Sequence, residues 1–329
     1  MKKKIIKISA LVGIMLFAFL FFKIGPEKIW LNINRISITN FIILLALRLL
    51  YWTLRTINWK VVLKEFGEDL SLFHLFLARM SGHSVGQLTP SAQVGSETTR
   101  IMLANCSSRK ICVASTIIDK TIEFFAIIFF TLLGTIVAFL HLKLPRDIKI
   151  TLVSGIAIIT LFFIFIFFKQ KKGILIWIIS LLKKTGLKIK LIERNEKKIA
   201  ETDKYISDFY KNNPSGFFKV FLLYSLMILL WITEIHLTIL FLGVSDITFT
   251  TSFIVTTLGN LAFIFPFIPG SLGIYEATYI AIMAVVKIKP DVAIALVLIR
   301  RILALILAGG GLISMIKISK SKKTVKQSE

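Results

Sequence analysis

The sequence predicts an all-α, polytopic membrane protein with about six spanning helices and two broken, re-entrant segments in an inverted-topology internal repeat. Three observations predict it. First, 56% of the 329 residues are hydrophobic and only 18% are charged, with a mean hydropathy of +0.80; the apolar residues gather in runs of about 20, the length of a bilayer-crossing helix. Second, Lys+Arg number 41 against Asp+Glu 18, a net charge of +23, and most of the excess lies between and beyond the runs, where it sets orientation. Third, two apolar stretches, one in each half, are interrupted by glycine and proline at corresponding places. High apolarity excludes disorder, and runs of this length argue against a soluble nucleic-acid binder, so no nucleic-acid partner is expected.

The first span runs from Ile5 to Ile24, behind Lys2, Lys3, Lys4 and Lys7. It exceeds a signal-peptide core and no small-residue cleavage site follows, which makes it an uncleaved anchor. The second runs from about Thr39 to Val62 and contains Arg48 and Arg55. The stretch 71–97 is apolar at first and then broken by Gly82, Gly86, Pro90 and Gly95. Ala114 to Leu140 is a span with Asp119, Lys120 and Glu123 in its first turns, and Ile148 to Phe168 is another. The segment 169–219 is basic and largely polar. Within it Ile192, Ile199, Ile206 and Phe209 fall near one helical face, the pattern of an amphipathic helix at the cytoplasmic interface; a solvated linker with surface charge is the alternative. Val220 to Leu242 is a span with Glu234 and His236. The stretch 248–286 is broken by Gly259, Pro266, Pro269, Gly270 and Gly273, and Val292 to Ile316 is the last span, with Arg300 and Arg301 inside it.

The chain thus reads as one integral membrane domain, 1–329: a first half 1–168, a cytoplasmic segment 169–219 and a second half 220–329. With six crossings, the N-terminal lysines, the basic segment and the C-terminal lysines all fall on the cytoplasmic side of a cell membrane, as the Lys/Arg bias demands.

The broken stretches resemble each other. Each carries Pro-x6-Glu with a glycine two or three residues before the acid, and the interval from Pro90 to Pro269 equals that from Glu97 to Glu276, 179 residues. Proline removes a backbone N–H and glycine admits unusual dihedrals, so helices break there. Freed backbone groups at membrane depth must be buried in protein or line a wet cavity, and paired interruptions of this kind point to a transporter's binding site. Helix N-termini at the breaks suit a phosphate.

Charged residues inside spans are costly and are functional candidates. Arg48 and Arg55 lie seven apart on one face, Asp119 and Glu123 lie one turn apart beside Lys120, and Arg79 sits at the first break. Two readings compete. In one, the charges pair and hold helices in register: Arg48 and Arg55 with Asp119 and Glu123, Arg300 and Arg301 with Glu276 or Glu234. In the other, the arginines take a phosphate bidentately. His74, His83 and His236 lack ligand spacing, Cys106 and Cys112 read as ordinary thiols, and no nucleophile motif is visible. Neither metal, cofactor nor enzymatic activity is expected.

The Pro-x4-Gly-x-Glu-x-x-Arg run (Pro90, Gly95, Glu97, Arg100) and the Pro-Gly-x-x-Gly-x-x-Glu run (Pro269, Gly270, Gly273, Glu276) resemble the transmembrane region of lysylphosphatidylglycerol synthases, a flippase-like family, over nearly the whole chain. The cluster Asp119-Lys-Thr-Ile-Glu123 falls where the family has acidic–Arg–x–x–Asp. The family's Gly-Arg near the first motif is Ala92-Gln93 here. In full-length synthases, the resemblance implies, this region moves aminoacylated phosphatidylglycerol outward while a soluble transferase domain makes it. The chain ends at Glu329, soon after its last span, so no synthase activity is expected.

The expected function is translocation of a phosphate-bearing lipid, aminoacylated phosphatidylglycerol or a polyprenyl-phosphate-linked one. Arg100, Arg300 and Arg301 would hold phosphate; Glu97 and Glu276 would hold a cationic head group or set the alternation. The alternative is a non-transporting subunit that anchors a glycosyltransferase or lipid synthase through 169–219. An oligomer fits either reading.

Overall fold

The structure, a computed structural model, describes Phe22 and residues 26–88, 92–143, 145–184, 190–260 and 274–328. The first predicted span therefore lies almost wholly outside the described residues. Among those residues the chain is helical, without strands. The elements are α1 (Pro26–Ile33), α2 (Ile38–Lys64), α3 (Leu72–Leu88), α4 (Ala92–Ala104), α5 (Arg109–His141), α6 (Arg146–Lys172), α7 (Ile174–Lys184), α8 (Lys190–Asn212), α9 (Pro214–Phe241), α10 (Phe249–Gly259), α11 (Ile274–Val285) and α12 (Pro290–Ser328). Five are long and apolar enough to cross a membrane: Ile38–Lys64, Arg109–His141, Lys149–Lys172, Pro214–Phe241 and Pro290–Met315. The protein is a polytopic, all-α membrane protein.

Local chemistry sets the helix starts. The side chains of Ser37, Ser108, Asn213 and Thr248 each accept a hydrogen bond from a backbone N–H in the first turn of α2, α5, α9 and α10, and Pro214 opens α9 at a position where its missing N–H costs nothing. Helix α6 stops at Gly173, which takes φ +98°.

Each half contains, among the described residues, a long helix, two shorter ones and a long helix: α2, α3, α4, α5 and then α9, α10, α11, α12. The halves exchange partners. Helix α3 packs along α12, α10 along α5, and α2 along α9, the pairing that an internal two-fold gives. Glycines permit the close crossings. A methyl group on Gly311 of α12 would collide with the Met80 carbonyl and the Ser84 hydroxyl of α3, and one on Gly134 of α5 with Thr257 of α10. The buried core lies among α2, α5, α9 and α12, with Leu44, Ile118, Tyr224, Ile228, Ile232 and Leu296 fully covered. Among the described residues helix α6 packs on α5, α7 and α8 and exposes Ile158, Leu161, Phe162 and Phe165, a lipid-facing surface.

Four expectations are corrected. Gly82, Gly86 and Gly95 do not break helices; they lie within α3 and α4. Gly82 instead lets α4 approach, since a Cβ there would stand 2.6 Å from the Ser96 carbonyl oxygen. The amphipathic helix exists as α8, but its Ile206 and Phe209 are buried against protein, with α5, α6 and α7 supplying the cover, so these two residues are not laid on lipid. Residues 174–182, inside the supposedly polar segment, form most of an apolar helix. Cys106 and Cys112 are joined as a disulfide: Asn105 at φ +61° turns the chain between α4 and α5 and brings their Cα atoms to 5.9 Å, within disulfide range.

Candidate functional site

The first half builds a cavity of about 150 Å³, lined by Trp52 and Arg55 of α2, Arg79, His83, Gly86 and Gln87 of α3, Ser96, Glu97 and Arg100 of α4, and Lys120 of α5. Helical spacing explains the lining. Arg79, His83 and Gly86 follow one another at i, i+4 and i+7 on α3, and Glu97 and Arg100 at i, i+3 on α4, so each helix turns one polar stripe inward.

Asp119 is the pivot. It is fully buried and accepts hydrogen bonds from Nη2 of Arg79 and Nη1 of Arg100, both at 2.8 Å, and from the Tyr224 hydroxyl at 2.5 Å. Trp59 backs the same two arginines, 5.5 Å from the guanidinium carbon of Arg79 and 4.4 Å from that of Arg100, and donates its indole N–H to Ser115 at 3.1 Å. A charge at this depth is tolerated because it is paired and hydrogen-bonded on every side.

Around this pivot sit the other charges. Arg55 donates to Glu123 at 2.8 Å and lies over the Trp52 ring at 5.0 Å. Lys120 donates to Glu123 at 3.0 Å and stands 3.5 Å from Glu97. Glu97 pairs with Nε of Arg100 at 2.8 Å. Four cations therefore line the cavity against one lining carboxylate, while Asp119 and Glu123 lie behind it. The Nε atoms of Arg55 and Arg79 and Nε2 of His83 are buried without a hydrogen-bond partner. A buried donor left unmade costs about 1–3 kcal/mol, a cost the fold carries at both arginines, while Oε2 of Glu97 is likewise without a hydrogen-bond partner.

The second half holds a separate cluster. Glu234 accepts from Arg48 and stands 3.8 Å from Arg300; Arg301 Nε donates to Glu276 at 2.6 Å. Arg300 also lies 5.1 Å from the Trp231 ring. Of the residues singled out in the sequence, Arg55, Arg79, Gly86, Glu97, Arg100 and Lys120 come together at the cavity, with Asp119 and Glu123 behind them. Arg48, Glu234, Glu276, Arg300 and Arg301 stand in the other cluster. Gly95 lies in α4 but does not line the cavity, and Pro90, Pro269, Gly270 and Gly273 fall outside the described residues.

The pairing reading of these charges holds for Arg55 with Glu123, Arg301 with Glu276 and Arg300 with Glu234. Two partners differ. Arg48 reaches Glu234 rather than an acid of α5, because seven residues of rise set it about 10.5 Å along α2 from Arg55. Asp119 is taken by Arg79 and Arg100. Trp52, His83, Gln87 and Ser96 were not anticipated; the available signal was helical spacing, with His83 and Gln87 one and two turns after Arg79, Ser96 one turn before Arg100 and Trp52 one turn before Arg55. Among the described residues no group of three or more His, Cys, Asp or Glu is placed to hold a metal ion.

The sequence profile described as "Lysylphosphatidylglycerol synthase TM region" matches residues 6–310. The chain is also similar to a "UPF0104 membrane protein" of Methanothermobacter thermautotrophicus, 25% identical over 312 residues and covering 90% of each chain. It is 24% identical over 321 residues to another UPF0104 membrane protein, from Methanocaldococcus jannaschii, with 92% of this chain and 93% of the relative covered.

Proposed function

We propose that this chain, which belongs to the lysylphosphatidylglycerol synthase TM region family, translocates a lipid whose phosphate-bearing head group enters the cavity formed by α2 to α5. The observation that carries the reading is the cavity's excess of cations: Arg55, Arg79, Arg100 and Lys120 against Glu97, with unused donors among the arginines. Guanidinium groups suit phosphate through paired N–H donors, and a site walled by short helices amid spanning ones matches the architecture of transporters that hold substrate at membrane depth.

The test is a flip assay in proteoliposomes with fluorescent phosphatidylglycerol and a fluorescent polyprenyl phosphate. Acceleration over protein-free vesicles, reduced at least tenfold by Lys120→Gln with Arg55→Gln, is the expected result. No acceleration for either lipid overturns the proposal. Saturable binding without movement favours the non-transporting alternative, an accessory subunit for an enzyme that acts on the same lipid.

A further inference from the structure

Resting on that reading, the structure assigns the cavity to a phosphate head group that carries no ammonium, and so to an unmodified anionic lipid in place of an aminoacylated one. An aminoacyl phosphate lipid needs an acceptor for its ammonium beside the donors for its phosphate. The carboxylates near this cavity are already engaged. Glu97, the acid on the lining, lies between Arg100 at 2.8 Å and Lys120 at 3.5 Å. Asp119 and Glu123 are buried behind the lining; Asp119 accepts from Arg79, Arg100 and Tyr224, and Glu123 from Arg55 and Lys120. These three acids face four cations, which leaves one positive charge over. A phosphate oxyanion neutralises the excess that Arg55, Arg79, Arg100 and Lys120 bring to the lining. An ammonium brought to the same wall would meet like charge in a poorly screened setting.

Purified full-length protein in nanodiscs, loaded with fluorescent phosphatidylglycerol, is titrated with three competitors: dioleoyl phosphatidylglycerol, its lysyl ester, and farnesyl monophosphate. The expected result is displacement by the first and third at concentrations at least tenfold below the lysyl ester. Either of those two as the stronger competitor supports the assignment, a phosphodiester lipid in one case and a phosphomonoester in the other. Glu97→Gln removes a competing acid, and it should tighten phosphatidylglycerol several-fold without weakening the lysyl ester. Displacement by the lysyl ester at or below the phosphatidylglycerol concentration overturns the assignment and leaves the lipid reading standing, as does selective loss of lysyl-ester binding in Glu97→Gln. Failure of all three to bind the wild type overturns both.

Discussion

Replacing Asp119 by Asn tests whether this carboxylate is what holds the cavity wall. The change keeps the shape and removes the charge that Arg79 and Arg100 share. Both arginines are only 3% exposed at the side chain, so neither can turn to water. Arg100 keeps Glu97 at 2.8 Å. Arg79 keeps little besides the Trp59 ring at 5.5 Å, and the loss falls mainly there. Removing one partner of a buried ion pair costs about 3–5 kcal/mol, and the charge-assisted bond from Tyr224 weakens as well. Every 1.4 kcal/mol is tenfold, so the folding equilibrium should shift by roughly two to three and a half powers of ten. Reversible unfolding in mixed micelles of dodecyl sulfate and a mild detergent reads that shift directly. Glu201→Gln, which breaks the half-exposed pair with Lys110, is the control and should cost no more than about 1 kcal/mol. Asp119→Asn within about 1 kcal/mol of the wild type would refute the assignment of Asp119 as the pivot.

Three further outcomes are expected. Gly311→Ala should destabilise the protein by about 1–3 kcal/mol, the usual cost of overpacking, because the new methyl group meets α3; Gly309→Ala, with nothing within 4 Å, should be neutral or slightly stabilising in the same unfolding assay. Asp203→Ala removes the acceptor for the N–H groups of Leu175 and Ile176, each at 3.0 Å; hydrogen exchange over residues 174–184 should speed up by the equivalent of about 1 kcal/mol while α9 is unchanged. Changing Arg48 and Glu234 together to Met and Leu should cost less than the sum of the two single changes, since both sever the same buried pair, while Arg300, 3.8 Å from Glu234, loses its acid in both Glu234 variants; strictly additive losses in a double-mutant cycle would contradict the pairing.

The spans were legible in the sequence because a bilayer imposes one rule on every residue of a crossing helix: Thr39 to Val62 and Ala114 to Leu140 fall within α2 and α5, and Val220 to Leu242 overruns α9 by its last residue alone. The charge partners were legible only where chemistry left few choices. Arg301 finds Glu276 and Arg55 finds Glu123, as charge balance alone suggested. Height along a helix and the crossing of α3 with α4 decide the rest, and those are set by packing at a distance. Gly82 shows why. As a symbol in a string it reads as a helix breaker, but in the fold it is the gap that admits the Ser96 carbonyl. That contact presses α4 onto α3 and so brings Arg100 beside Arg79 on the same oxygen of Asp119. The cavity's charge surplus is therefore a product of helix contact: two arginines 21 residues apart in sequence share one acid.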